Sequence, residues 1–243
     1  MKETNFLKVI AGIENRDPVK VTKVLKAAAF CKVEAVDICD SPEIIQLAKE
    51  ILKETDTKIF VSSLDPQKLL SSSRIGADYL ELGNYDHLYP SGIKINRKEI
   101  LDAVQTLLDS GETNLSVTVP GYLTPNEQAD LAQELCEMGV PIIQTEGGSI
   151  SSASENGAIG QIEKAKVTLA NTIELKKACP RACILAAGGL SAITVPMAIA
   201  AGANGVGIGK AISNLASEIE MIASIKSVQE SLYNFQVKMS PVL

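Results

Sequence analysis

The sequence predicts a single-domain α/β protein spanning residues 1–243, a (β/α)8 TIM barrel. Three observations carry this. Short apolar runs alternate with helical patterns from end to end. Most of those runs are apolar nearly throughout, as strands covered on both faces are. The helix starts repeat one signature, a capping side chain followed by proline. A doubly wound open sheet is the alternative that the same alternation allows.

Taken in order, the strand candidates are Phe6–Ala11, Val33–Ile38, Lys58–Ser62, Asp78–Leu82, Leu115–Val119, Pro141–Thr145, Cys183–Ala187 and Gly205–Ile208. Helices start where Asp17-Pro18, Ser41-Pro42, Asp65-Pro66 and Thr124-Pro125 put a cap before a proline at the first helical position. Thr124 has Glu127 three residues on, a capping box. Arg97–Ser110 sets Ile100, Leu101, Val104, Leu107 and Leu108 on one stripe, with Gly111 as its stop. An internal echo accompanies the alternation. Gly76-Ala77-Asp78, entering the fourth strand, matches Gly202-Ala203-Asn204, entering the eighth. Half-barrel duplication produces that pattern, as does a common helix exit.

Composition narrows the function classes. Lys plus Arg number 23 against 29 Asp plus Glu, a net charge of −6, and no basic run is dense enough to track a phosphate backbone. Aromatics make up 4% and there is no Trp, so nucleic acid is not an expected partner. A single histidine, His87, excludes a multi-histidine metal site. Five cysteines without a C-x-x-C pair point to thiols in a reducing compartment. Met1–Asn5 shows neither a signal-peptide core nor a transit-peptide composition. Ala182–Gly209 carries no charge, but Gly188-Gly189, Pro196, Gly202 and Asn204-Gly205 punctuate it as strand, short helix and strand, so no membrane span is expected.

In such a barrel the chemistry lies at the C-terminal ends of the strands. Gly188 and Gly189, after strand seven, and Gly207, Gly209 and Lys210, at strand eight, form the candidate phosphate site. Their small residues let backbone N–H groups converge on an anion, and a short helix after strand eight adds its free amides. Polar residues in otherwise apolar strands are the candidate catalytic groups: Lys8, Asp37, Glu81 and Glu146. Partly desolvated carboxylates there serve as acid or base, and a buried lysine suits Schiff-base chemistry or a phosphate or flavin contact. The competing account is a structural ion-pair network filling the barrel. Asn84, Thr118, Tyr122, Gln144, Gly147 and Gly148 complete the expected lining. Of two long loops, Gly83–Asn96 brings Tyr85, His87 and Tyr89 to this face, and Gly147–Gly160 is expected to act as a lid.

The two glycine loops resemble the phosphate-binding motif of the ribulose-phosphate-binding and FMN-binding barrels. Together with Val9-Ile10-Ala11-Gly12-Ile13, Ala35-Val36-Asp37-Ile38-Cys39 and Gln144-Thr145-Glu146-Gly147-Gly148, they make nearly the whole chain resemble a narrower group. This is the hypothetical chloroplast reading frame twenty-three family, known from algal plastid genomes and from cyanobacteria. The resemblance implies a plastid stroma, or the cytoplasm of a cyanobacterium; it implies a fold rather than a reaction. Three functions follow from the residues. One is an isomerase, epimerase, aldolase or synthase acting on a small phosphorylated metabolite. Another is an FMN-binding redox barrel, FMN being the one cofactor the loops suit. The third is a non-catalytic sensor or partner-binding barrel, and a homo-oligomer is compatible with each.

Overall fold

The structure, a computed structural model, describes residues 5–147 and 154–239, with 233–239 as backbone only. The chain runs β1 (Phe6–Ile10), α1 (Pro18–Cys31), β2 (Ala35–Cys39), α2 (Pro42–Leu52), β3 (Lys58–Ser63), α3 (Pro66–Ile75) and β4 (Tyr79–Leu82). A 3-10 turn, Tyr85–Ser91, then leads to α4 (Arg97–Asp109), β5 (Leu115–Val119), α5 (Pro125–Glu137), β6 (Ile142–Thr145) and α6 (Gly157–Ala178). It ends with β7 (Cys183–Ala187), α7 (Val195–Ala200), β8 (Gly205–Ile208), α8 (Lys210–Ser213) and α9 (Glu218–Met239). All eight strands are parallel, each paired with its chain neighbours, and β8 closes on β1. The open doubly wound sheet is thereby excluded.

The repeated helix starts form as the local chemistry requires, with one exception. Asp17 accepts from the amides of Val19 and Lys20, Asp65 from Gln67, and Thr124 and Glu127 complete their capping box. Ser41 precedes Pro42 and its carbonyl accepts from the Ile45 amide, but its side chain caps no helix amide. Asn96 and Glu99 form a second capping box. Two strand boundaries move by short steps. Val33 donates to Ala28 at the close of α1, so β2 begins at Ala35 and runs on to Cys39. Ala11 lies just past β1, donating to Asp37.

Strand register sorts the side chains into two cores. Leu7, Val9, Val36, Ile38, Val61, Leu80, Val206 and Ile208 pack outward under the helices. Phe6, Ala35, Phe60, Ile142 and Leu185 fill the lower barrel interior, with Tyr79 stacked on Phe60 at 4.5 Å between centroids. Gly205 is required by this layer, because a Cβ there would run into the Phe6 ring. Alternation then dictates that the next inward positions are polar, and they occupy the upper half of the same interior.

The uncharged stretch Ala182–Gly209 resolves into β7, α7 and β8. Among the described residues no helix is long and apolar enough to cross a membrane. The echo between strands four and eight is structural. Gly76 and Gly202 both have positive φ, 118° and 104°. Asp78 accepts from the Ile59 amide and Asn204 from the Ile184 amide, each bridging back to the preceding strand.

Candidate functional site

Above the apolar layer, Lys8 of β1 is fully buried and ion-paired with Glu81 of β4. Its ammonium also lies 4.8 Å from the centroid of the Phe60 ring. The second Glu81 oxygen accepts from Thr118 at 3.1 Å and from the Gln144 amide, which itself lies 2.9 Å from the Thr118 hydroxyl. Asp37, beside this cluster on β2, accepts from Ser62 at 2.6 Å. Register makes these contacts: Asp37 is opposite Phe60, Ser62 opposite Glu81, and Thr118 opposite Gln144. Of the predicted residues, Lys8, Asp37, Glu81, Thr118 and Gln144 therefore meet in one buried network.

Two carboxylates here share one ammonium, and the electrostatics follow from that count. Burial pushes the Asp37 carboxyl up to about 7; Lys8 and the Ser62 hydroxyl oppose the shift, whereas Glu81 adds to it. Two inward polar atoms, Gln144 Oε1 and Ser116 Oγ, are buried with no partner among the described residues. Such atoms are expensive to leave unpaired, on the order of 1–3 kcal/mol each.

Glu146 lies apart from that network. One oxygen accepts from the Gly121 amide at 2.8 Å and from the Tyr89 hydroxyl at 2.5 Å; the other accepts from the Asp86 amide at 2.9 Å. Burial raises its pKa, and the Gly121 and Tyr89 hydrogen bonds pull the other way. The side chain thus ties together the loops after β4, β5 and β6. Tyr122 packs edge-on against Tyr89 at 5.4 Å and donates to the Ile95 carbonyl. Asn84 takes a left-handed conformation, φ 82°, and its carbonyl lies 2.7 Å from His87 Nδ1.

The glycines divide by role. Gly121, Gly147 and Gly188 stack backbone on backbone: a Cβ on Gly147 would lie 3.0 Å from Gly188 Cα, and one on Gly188 would collide with Gly147. Thr168 of α6, fully buried, donates to the Gly188 carbonyl at 2.6 Å and locks this stack. Gly189, with φ 67°, is pressed against the Lys164 carbonyl. No sequence signal marks Thr168, a polar residue on a helix whose apolar stripe is weak. Gly207 is a ladder residue between Lys8 and Ala187, so it contributes the absence of a side chain rather than a free amide. Gly209 precedes α8 with only ordinary contact to Ile10, the nearest atom 3.7 Å from an ideal Cβ.

Amides of Gly188, Gly189, Gly209 and Lys210 donate to no acceptor among the described residues. Ala187 is opposite Gly207, so the two loops leave neighbouring strands at the same height. Gly148 and most of the expected lid, residues 148–153, lie outside the described residues; α6 starts at Gly157, within the span expected to be loop.

Fold and mouth together define the class: a closed (β/α)8 barrel with a polar upper interior and glycine-built loops after β7 and β8. Among solved structures, the chain is similar to a 3-hexulose-6-phosphate synthase (TM-score 0.66, 17% identity, 93% of this chain and 99% of that one). It is also similar to thiamine phosphate pyrophosphorylase from Pyrococcus furiosus (TM-score 0.61, 13% identity, 95% and 96%). At those identities the likeness is one of fold. Residues 1–238 match the family described as "Protein of unknown function (DUF561)", and the chain belongs to it. A relative named "Uncharacterized protein ycf23", from Cyanophora paradoxa, is 35% identical over 94% of this chain and 93% of its own length.

Proposed function

We propose that the protein binds a small phosphorylated metabolite at the barrel mouth. Its phosphate sits on the amides of Gly188, Gly189, Gly209 and Lys210, and its remaining atoms lie over Asp37, Glu81, Gln144 and Lys8. The observation that carries this is the set of uncommitted amides on two adjacent loops, because a phosphate needs several converging donors without side-chain bulk. The names of the two solved neighbours, a 6-phosphate synthase and a phosphate pyrophosphorylase, support the ligand class.

If the protein turns a substrate over, Asp37 is its proton-handling group, since its carboxyl titrates near neutrality. Lys8 and Glu81 then set the field around it, and Glu146 positions the loops through Tyr89 and Gly121. Isomerisation, epimerisation, aldol cleavage and synthase chemistry all use such a group. A plastid setting is supported by the ycf23-named relative, with the stroma, or a cyanobacterial cytoplasm, as the compartment. Thermal-shift measurement with a panel of sugar phosphates tests the binding. At saturation of about 100 times Kd a ligand stabilises by about 2.7 kcal/mol, a shift of several degrees. No shift with any of them in the wild type, or a shift undiminished in Gly209→Ala, sinks the proposal. Flavin absorbance in the purified protein would instead assign the loops to FMN.

A further inference from the structure

A second feature of the mouth lies away from the glycine loops. A cleft of about 330 Å3 opens between the loops after β1, β2 and β3, lined in part by Glu14, Arg16, Asp40, Ser63, Lys68 and His87. At its base is Asp40, whose side chain is only 7% exposed. One Asp40 oxygen pairs with Arg16; the other accepts from Ser63 at 2.7 Å and lies 3.7 Å from the Lys68 ammonium. Burial by itself would raise this carboxyl, but the Ser63 hydroxyl and the Arg16 guanidinium hold it below the usual carboxylate range. It is therefore a fixed anion that orients the heads of two half-exposed cations.

The donors so positioned are largely unspent. Arg16 has five N–H groups and, among the described residues, meets Asp40 alone. Two further carboxylates and a histidine line the cleft. Asp65 is exposed and keeps its charge, although one of its oxygens caps α3 by accepting from the Gln67 amide. His87 Nδ1 lies 2.7 Å from the Asn84 carbonyl, which only accepts, so Nδ1 donates to it. Glu14 is exposed and opposes an anion.

We infer that this cleft holds a second anionic group, a carboxylate or a phosphate, on the ligand whose first phosphate occupies the glycine loops. Arg16 and Lys68 are its donors, and Asp40 is the positioning residue. The ligand class becomes a metabolite with an anion at each end. The two-ended ligand rests on the function proposed above, whereas anion binding in the cleft does not. A guanidinium held by a buried carboxylate has already lost the rotamer freedom that a free surface arginine gives up on binding.

Three acyclic probes test this on the full chain at low salt: hexitol 6-phosphate, hexitol 1,6-bisphosphate and 6-phosphogluconate. We expect the two doubly anionic probes to bind about tenfold more tightly than the monophosphate, the worth of one charge-assisted contact. The tighter of the pair tells phosphate from carboxylate. Arg16→Gln should erase the difference and leave the monophosphate Kd within about twofold; Arg16→Lys should restore part of it. Glu14→Gln should widen the difference about twofold by removing the opposing charge. No difference in the wild type, or one that survives Arg16→Gln and Lys68→Gln together, overturns the inference. A 15N NMR titration with inorganic phosphate separates the two proposals. Shifts at Gly189 and Gly209 with a silent Arg16 Nε–H overturn only the cleft. A moving Arg16 with silent glycines supports the cleft and overturns the cradle, and silence at both overturns both.

Discussion

Strands β1 to β6 fill the upper barrel with side chains, Lys8, Asp37, Ser62, Glu81, Thr118 and Gln144, whereas β7 and β8 offer Ala187, Gly207 and bare backbone. The first side is dense in charge and nearly saturated with internal hydrogen bonds. The second has few side chains and leaves amides uncommitted. A charged network held at 0–5% exposure resists rearrangement and shifts the titration of the carboxyl it encloses. Backbone donors instead recognise an anion without bringing a counter-charge. The two sides thus divide the work of a binding site, one fixing the field and the other supplying the grip.

The glycine side itself is not uniform, and the largest effect should expose that. Gly188→Val adds a Cβ where the Gly147 backbone and Thr168 already stand, at φ 116°. We expect loss of several kcal/mol or failure to fold, measured as soluble yield and urea midpoint. Gly189 is bound by the same limit: at φ 67° against the Lys164 carbonyl it cannot be enlarged with the fold intact.

On the charged side, Lys8→Met leaves Glu81 buried without its cation and should cost about 3–5 kcal/mol. The double variant Lys8→Met/Glu81→Gln should recover much of that loss in urea unfolding. If the two changes simply add, the pair is not coupled and the contrast between the two sides weakens.

The pH dependence of Asp37 comes next. Its carboxyl has an ordinary value of 3.8 and a folded value of about 7, so in that window the native state holds the proton that the unfolded chain has released. Stability from this group is complete below 3.8 and is lost as pH rises through about 7. Asp37→Asn should therefore flatten the fall in Tm between pH 5 and 8, and should be the more stable protein at pH 8 by on the order of a few kcal/mol. A wild-type Tm that rises over that range contradicts it.

Smaller effects are expected at the loops. Glu146→Gln replaces an acceptor of three donors by a group that must turn an NH2 toward one of them. A cost of about 1–2 kcal/mol should appear, with faster hydrogen exchange at Asp86 and Gly121. Smallest of all for stability is Gly209→Ala, within about 0.5 kcal/mol given its ordinary contacts. Its effect belongs to the ligand: weakened binding of sugar phosphates at unchanged Tm would confirm that the two glycine loops do different things.

The order of residues alone dictates the element types and their succession, because caps, prolines and apolar runs act within a few residues. It also picked out which strand residues face inward, since alternation along β1, β2, β4, β5 and β6 turns Lys8, Asp37, Glu81, Thr118 and Gln144 to one side. Partnerships were decided only by closure of the barrel. Lys8 meets Glu81 across 73 positions, and Glu146 is taken up by Tyr89 and Gly121 rather than joining them. The same holds for the glycines: Gly188 and Gly209 are alike as letters, but only the packing of α6 and the loop after β6 makes one a structural necessity and leaves the other free. Arg16, Asp40, Ser63 and Lys68 carry no motif at all, because their cleft is assembled from three successive β/α units. Local periodicity encodes direction; which side chains touch depends on the stagger of strands far apart in the chain.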